Sequence, residues 1–397
     1  MAMVGEQSVW LRTVTRPGAA VFAIMFTLES MARAVLAAII PLQAYTILKE
    51  ARDVSLTYFS VAIIGLVASF VIPLLIRRFR RRWVYTAGVV MLIASASSLA
   101  TSTLAGQIAA MLLRSLAAAS LNITLSLYVL DYIHKRDMIR SEPLKLMMSA
   151  FSWSLGPLLG VYLYNQVGHG AAAILSIAPA AALLVYFWYL RIQDNPAVAA
   201  ATRPAPNPLR NIRRFLEQPR LRLAWFITFS RSVWWGMFFV YPSIYMLQSG
   251  KSEMDAAILL SAGNAVLLGA VWIGRLAQSR GIRRLLIGAF IGSGVTTLAT
   301  VLFYGSPWVV GGLLLAGALN VMVQDGLGNI PFLRAVRPLE RPQMATVFRT
   351  YIDAADVLPA AFYSVLLSFF DTRAVLITCG LWMLLAAVVT RHLPRSM

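Results

Sequence analysis

Nine ionisable side chains stand in stretches otherwise almost free of charge: Glu29, Arg33, Arg114, Asp131, Arg231, Asp325, Arg349, Asp353 and Asp356. Glu29 and Arg33 are four residues apart, and Arg349, Asp353 and Asp356 follow one another at i, i+4 and i+7. Each set forms a single stripe if its segment is helical. Two chemistries suit such stripes. A carboxylate that gains and loses an Arg partner can take up and release a proton; Glu29 is the first candidate, then Asp325, Asp353 and Asp356. Arg33, Arg114 and Arg231 suit an anionic group such as a carboxylate or phosphate. Asn320, Gln324 and Trp234 add polar and aromatic contacts for a solute. A purely structural role fits the same residues: each Arg then neutralises a neighbouring carboxylate and touches nothing else. Asp131 lies at a segment end, within reach of water.

The segments that carry these groups are membrane spans by composition. The chain has 397 residues, 59% hydrophobic and 13% charged, against about 25% charged in soluble domains. Windows such as Trp83–Thr101 and Ala171–Leu190 lack any charge over about 20 residues, the length a helix needs to cross the hydrocarbon core. Charges and turn residues mark twelve segments, at 18–48, 53–76, 83–103, 106–131, 144–167, 170–191, 220–247, 254–275, 285–304, 307–333, 343–370 and 372–391. The first is too long for a cleaved signal sequence and reads as a retained helix. The expected fold is an all-α membrane protein with two six-helix halves, 1–192 and 220–397, joined by a Pro- and Arg-rich linker at 193–219.

The net charge of +19 invites a nucleic-acid reading, which the placement of the charges removes. With the N-terminus inside, 27 of the 35 Lys and Arg fall at the inner loops and ends. The outer loops hold only Lys49, Arg52, Lys251 and Arg373. That split follows the positive-inside rule and places both termini in the cytoplasm. The basic residues then face anionic head groups, and no nucleic acid is expected as a partner. One Cys and three His (His134, His169, His392) make no metal cluster, and no metal or cofactor is expected. HExxH, GxSxG and GxxxxGK[ST] motifs are absent, so neither a membrane-embedded enzyme nor an ATP-driven pump is expected.

The halves repeat at an offset near 201 residues. Ile40-Pro41-Leu42 matches Tyr241-Pro242-Ser243, Arg81-Arg82 matches Arg283-Arg284, and Leu155-Gly156-Pro157 matches Val357-Leu358-Pro359. Internal repeats are usual in secondary transporters, with the solute site near the midplane. Gly274-Arg275-Leu276-Ala277-Gln278-Ser279-Arg280-Gly281-Ile282-Arg283-Arg284 is similar to the major facilitator superfamily's loop motif, G-x-x-x-D-R-x-G-R-R. Arg77 to Arg82 keep only its basic part. Arg114-Ser115-Leu116-Ala117 resembles that family's fourth helix, and Gly156-Pro157-Leu158-Leu159-Gly160 the G-P-x-x-G core of its exporters' fifth helix.

The chain thus resembles the major facilitator superfamily. The resemblance implies alternating access, with helices one, four, seven and ten around the cavity, which carry Glu29, Arg114, Arg231 and Asp325. It assigns gating to Arg81, Gly156, Pro157, Gly160, Gly274, Arg275, Arg280, Gly281 and Arg283, with Arg349 beside them. The expected function is proton-coupled transport of a small organic solute, anionic or amphipathic, by a monomer in a bacterial inner membrane, with export favoured. Alternatives are a proton-driven importer of a metabolite or siderophore-like solute, a lysolipid flippase, and a non-transporting receptor.

Overall fold

The computed structural model describes residues 19–132, 135–190, 208–336 and 341–394. Every regular element among them is helical. In hydrocarbon only a helix satisfies its backbone polar groups within a single segment. Among the described residues, ten helices are long and apolar enough to span a membrane: Ala20–Leu48, Ala51–Ile76, Arg81–Leu99, Leu104–Val129, His169–Tyr189, Pro219–Gln248, Glu253–Ala270, Ile282–Leu302, Pro307–Ala335 and Thr372–Thr390. The other two expected spans fall on the helix Lys135–Gln166 and on the pair Arg341–Phe348 and Thr350–Leu366.

The first compact unit comprises residues up to Ala37 and Ile64–Thr202. It contains α1 (Ala19–Val35), most of α3 (Ala51–Phe79), α4 (Arg81–Leu99), α5 (Leu104–Tyr132), α6 (Lys135–Gln166) and α7 (His169–Tyr189). Its core packs Phe22 and Met25 of α1 with Tyr85 of α4, Leu121 and Tyr128 of α5 and Phe187 of α7. Gly156 and Gly160 set α6 directly on α1. A Cβ at Gly156 would stand 2.5 Å from that of Ala34, and one at Gly160 would strike the Val35 carbonyl. Small residues permit such backbone approach between membrane helices.

The second unit comprises Ala38–Ile63 and Arg203–Met397. It holds α2 (Ile39–Leu48) and the start of α3, then α8 (Pro208–Leu216), α9 (Pro219–Gln248) and α10 (Glu253–Ala265). A 3-10 stretch (Val266–Trp272) leads into α11 (Ile273–Arg280). There follow α12 (Ile282–Leu302), α13 (Pro307–Leu327), α14 (Ile330–Ala335), α15 (Arg341–Phe348), α16 (Thr350–Leu366) and α17 (Thr372–Thr390). Ser55 of α3 and Tyr241 of α9 share a buried hydrogen bond of 2.8 Å. The hairpin 38–63 thus packs with the C-terminal residues, a grouping that linear order conceals.

Several expected spans are interrupted. The segment 18–48 breaks after Val35, where Ala37 N–H bonds back to Ala34 at 3.0 Å. Pro41 lacks the N–H that would reach the Ala37 carbonyl. Pro331 does the same to Leu327, and the segment 307–333 breaks at Gly328–Asn329. The described part of the linker, from Pro208 on, is helical, which its composition does not suggest. Within it α8 forms behind Pro208, which suits the first helical position. Phe215 anchors α8 by packing with Leu221, Ala224, Phe332, Met344 and Phe348.

Candidate functional site

In the first unit, α1 carries both members of an ion pair. Arg33 Nη1 lies 3.2 Å from Glu29 Oε1, as spacing by one helical turn requires. The Glu29 side chain is completely buried, whereas that of Arg33 is 24% exposed. Burial of a carboxylate is costly without compensation, and Arg33 provides part of it. Arg114 reaches across from α5 and donates to the Arg33 backbone carbonyl at 2.7 Å. Tyr85 of α4, fully buried, lies within electrostatic reach of both Glu29 and Tyr128. These two tyrosines are not among the residues expected from sequence. Nothing in their spacing separates them from the other twelve.

In the second unit, Arg231 of α9 meets Asp325 of α13. Arg231 Nε lies 3.2 Å from Asp325 Oδ1, and the exposure is reversed: 12% for the Arg and 25% for the Asp. Trp235 Nε1–H donates to the other carboxylate oxygen at 2.9 Å. Tyr351 of α16 completes the cluster, its ring 5.7 Å below the Arg231 guanidinium and its hydroxyl accepting from Nη2 at 3.5 Å. A cation over an aromatic face is stabilised by the ring quadrupole.

The remaining expected residues are scattered. Trp234 is fully buried, stacks on Phe238 at 5.0 Å and donates to Thr297 at 3.0 Å. It packs α9 on α12, while its neighbour Trp235 turns to the charged pair. Gln324, also buried, donates to Ser293 at 3.1 Å. Asn320 donates to the Ala316 carbonyl at 2.8 Å and presses on α12 at Gly292. Arg349 is exposed just before α16, Asp353 is half-buried within reach of its charge, and Asp356 is exposed.

Among the gating residues, Arg81 is half-buried in the first turn of α4. Pro157 is buried in α6 between Gly156 and Leu158. Arg283 donates to the Arg391 carbonyl at 2.7 Å. Arg280 is exposed at the end of α11, and Gly281 turns the chain with φ 79°. Gly274 and Arg275 lie on α11, and their side-chain surroundings fall outside the described residues, as does the side chain of Asp131.

The profile of the major facilitator superfamily matches residues 22–355. The chain belongs to the major facilitator superfamily. It is therefore a multi-pass membrane transporter and not an enzyme. Solved structures agree in fold. A POT family transporter in complex with a thioalcohol-conjugated peptide matches with TM-score 0.74 and 13% identity over 94% of each chain. A POT family transporter in complex with 5-aminolevulinic acid matches with TM-score 0.72 and 14% identity, over 94% of this chain and 95% of that one. The nucleoside transporter NupG matches with TM-score 0.71 and 13% identity, over 94% and 98%. At these identities the likeness concerns the fold alone. No curated protein matches the sequence.

Proposed function

We propose that this superfamily member is a proton-coupled secondary transporter of a small organic anion in a bacterial inner membrane. It works by alternating access of two six-helix halves, residues 1–192 and 220–397, with 193–219 between them and both termini cytoplasmic. The observation that carries this reading is the Glu29–Arg33 pair, with the carboxylate sealed and the guanidinium partly open. A proton on Glu29 removes the charge that holds Arg33. Arg33 then has a hydrogen-bonding fork to offer a carboxylate or phosphate. Proton and anion bind best together, which favours co-transport and import of the solute.

A second reading, export, is supported by Gly156-Pro157-x-x-Gly160, the core of the exporters' helix-five motif. The Arg231–Asp325 cluster supports either direction. Its partly open carboxylate and its indole and phenol edges provide a second polar contact for an organic solute.

Proteoliposomes holding the purified chain, an imposed pH gradient and a panel of radiolabelled carboxylates and organophosphates test the proposal. Accumulation should follow the gradient and be abolished by Glu29→Gln, while counterflow of solute in that variant persists. Accumulation at the wild-type rate in Glu29→Gln would sink the role of Glu29. Efflux from loaded vesicles with inward proton movement would select the export reading.

A further inference from the structure

Away from the Arg231–Asp325 cluster, the second unit has a cavity of about 470 Å³ with Ser279, Arg280, Arg284, Gly288, Asn320 and Val323 among its walls. Arg280 closes α11 and Arg284 lies in the first turn of α12, so the turn at Gly281 brings two cations to one rim. Both are exposed, and neither makes an ion pair with a described residue. The Ser279 hydroxyl donates to the Leu276 carbonyl at 3.0 Å. The floor is apolar and open: a Cβ at Gly288 would meet nothing within 4 Å.

The surface that continues from this cavity indicates its occupant. On α12, Arg284, Gly288, Ile291 and Val295 are all exposed and follow at i, i+4, i+7 and i+11, one helical face. Ile291 is 39% exposed and Val295 52%; on α13, Leu319 is 53% exposed. In a membrane-spanning chain these side chains face acyl chains. A cationic rim that leads into an apolar track matches a molecule with a phosphate at one end and hydrocarbon at the other. Soluble phosphate would use the rim and ignore the track. The charge distribution of the loops places this rim at the cytoplasmic leaflet, where anionic lipids concentrate and basic pockets between helices take their head groups.

We propose that this cavity binds the head group of an anionic phospholipid. Arg280 and Arg284 hold its phosphate, and its chains run along Gly288, Ile291 and Val295 beside Leu319. The assignment is independent of the transported solute.

Native mass spectrometry of the full chain in neutral detergent, titrated with phosphatidylglycerol, phosphatidylcholine or inorganic phosphate, tests it. Phosphatidylglycerol should bind in preference to phosphatidylcholine. The double variant Arg280→Gln/Arg284→Gln should weaken that binding about thirtyfold, at about fivefold for each cation near a lipid phosphate. Gly288→Leu, which fills the floor without touching the charge, should also weaken it, whereas Arg213→Gln/Arg214→Gln should leave it intact. Equal binding of the two lipids overturns the proposal. So does unchanged phosphatidylglycerol binding in Gly288→Leu, the variant that decides if the double Arg variant does not fold. Displacement of phosphatidylglycerol by millimolar inorganic phosphate would replace the lipid with a free-phosphate site.

Discussion

At the residue scale, the two ion pairs differ in how much of each the sequence disclosed. Glu29 and Arg33 share one helix, so their spacing alone puts them in contact. Arg231 and Asp325 lie on different helices, and no local pattern joins them. Nor does any pattern tell Trp234 from Trp235: adjacent residues on a helix differ in direction by about 100°, and only packing decides which one reaches a carboxylate. The second pair is mostly buried, which gives it an energetic signature. Arg231→Met leaves Asp325 with Trp235 and without its counter-charge. The expected loss of stability is about 2–3 kcal/mol, below the ~3–5 kcal/mol of a fully buried pair because Asp325 is 25% exposed. Arg231→Met/Asp325→Leu should recover most of that loss, since removal of both charges lifts the desolvation cost. Thermal unfolding of the four proteins in one detergent measures the coupling. Additive losses would show that the pair is no energetic unit.

At the element scale, helix type and approximate extent followed from charge-free length, while the interruptions did not. The breaks before Pro41 and Pro331 have a visible cause once located, but Pro73, Pro179 and Pro242 lie inside continuous helices. A proline therefore permits a break, and tertiary packing decides whether one forms. Glycines divide in the same way. Gly160 lies against the Val35 carbonyl, while Gly288 faces open space. Gly160→Ala should cost about 1–3 kcal/mol, the usual penalty of overpacking, because backbone cannot swing aside as a side chain can. Gly288→Ala should be neutral or stabilising by up to about 1 kcal/mol, the helix propensity gained over Gly. Unfolding midpoints in detergent check both. Equal effects would mean that the α1–α6 contact is looser than its geometry indicates. The linker helix α8 was not legible because the cluster that holds its anchor, Phe215, also needs residues more than 100 positions away, such as Phe332 and Phe348.

At the scale of the whole molecule, the sequence repeat has a backbone counterpart. Arg80 precedes α4 with φ 63° and ψ 147°, and Gly281, 201 residues later, precedes α12 with φ 79° and ψ 141°. Both copies use a conformation that suits Gly and strains other residues. Arg80→Gly should therefore stabilise the first copy by about 1 kcal/mol, the lower end of that strain, visible as a higher unfolding midpoint; a lower midpoint would mean that the Arg80 side chain contributes more than its backbone costs. The hairpin 38–63 escaped the linear reading of the halves because its packing partners, such as Tyr241, lie beyond the linker. Orientation rests wholly on the placement of basic residues, and the chain lends itself to a direct test. Its one cysteine, Cys379, is fully buried, so the native protein supplies little background to a thiol reagent. Lys251→Cys and Arg373→Cys place a thiol in the loops read as external, and Arg78→Cys and Arg284→Cys in those read as cytoplasmic. The parent side chains are exposed, or half-exposed at Lys251. A membrane-impermeant maleimide added to right-side-out vesicles should label the first two and spare the second two until the membrane is opened. The reverse pattern would invert the molecule and move the Arg280–Arg284 cavity to the outer leaflet. Labelling of one member from each set would instead mean that the number of spans between them departs from the twelve-helix plan.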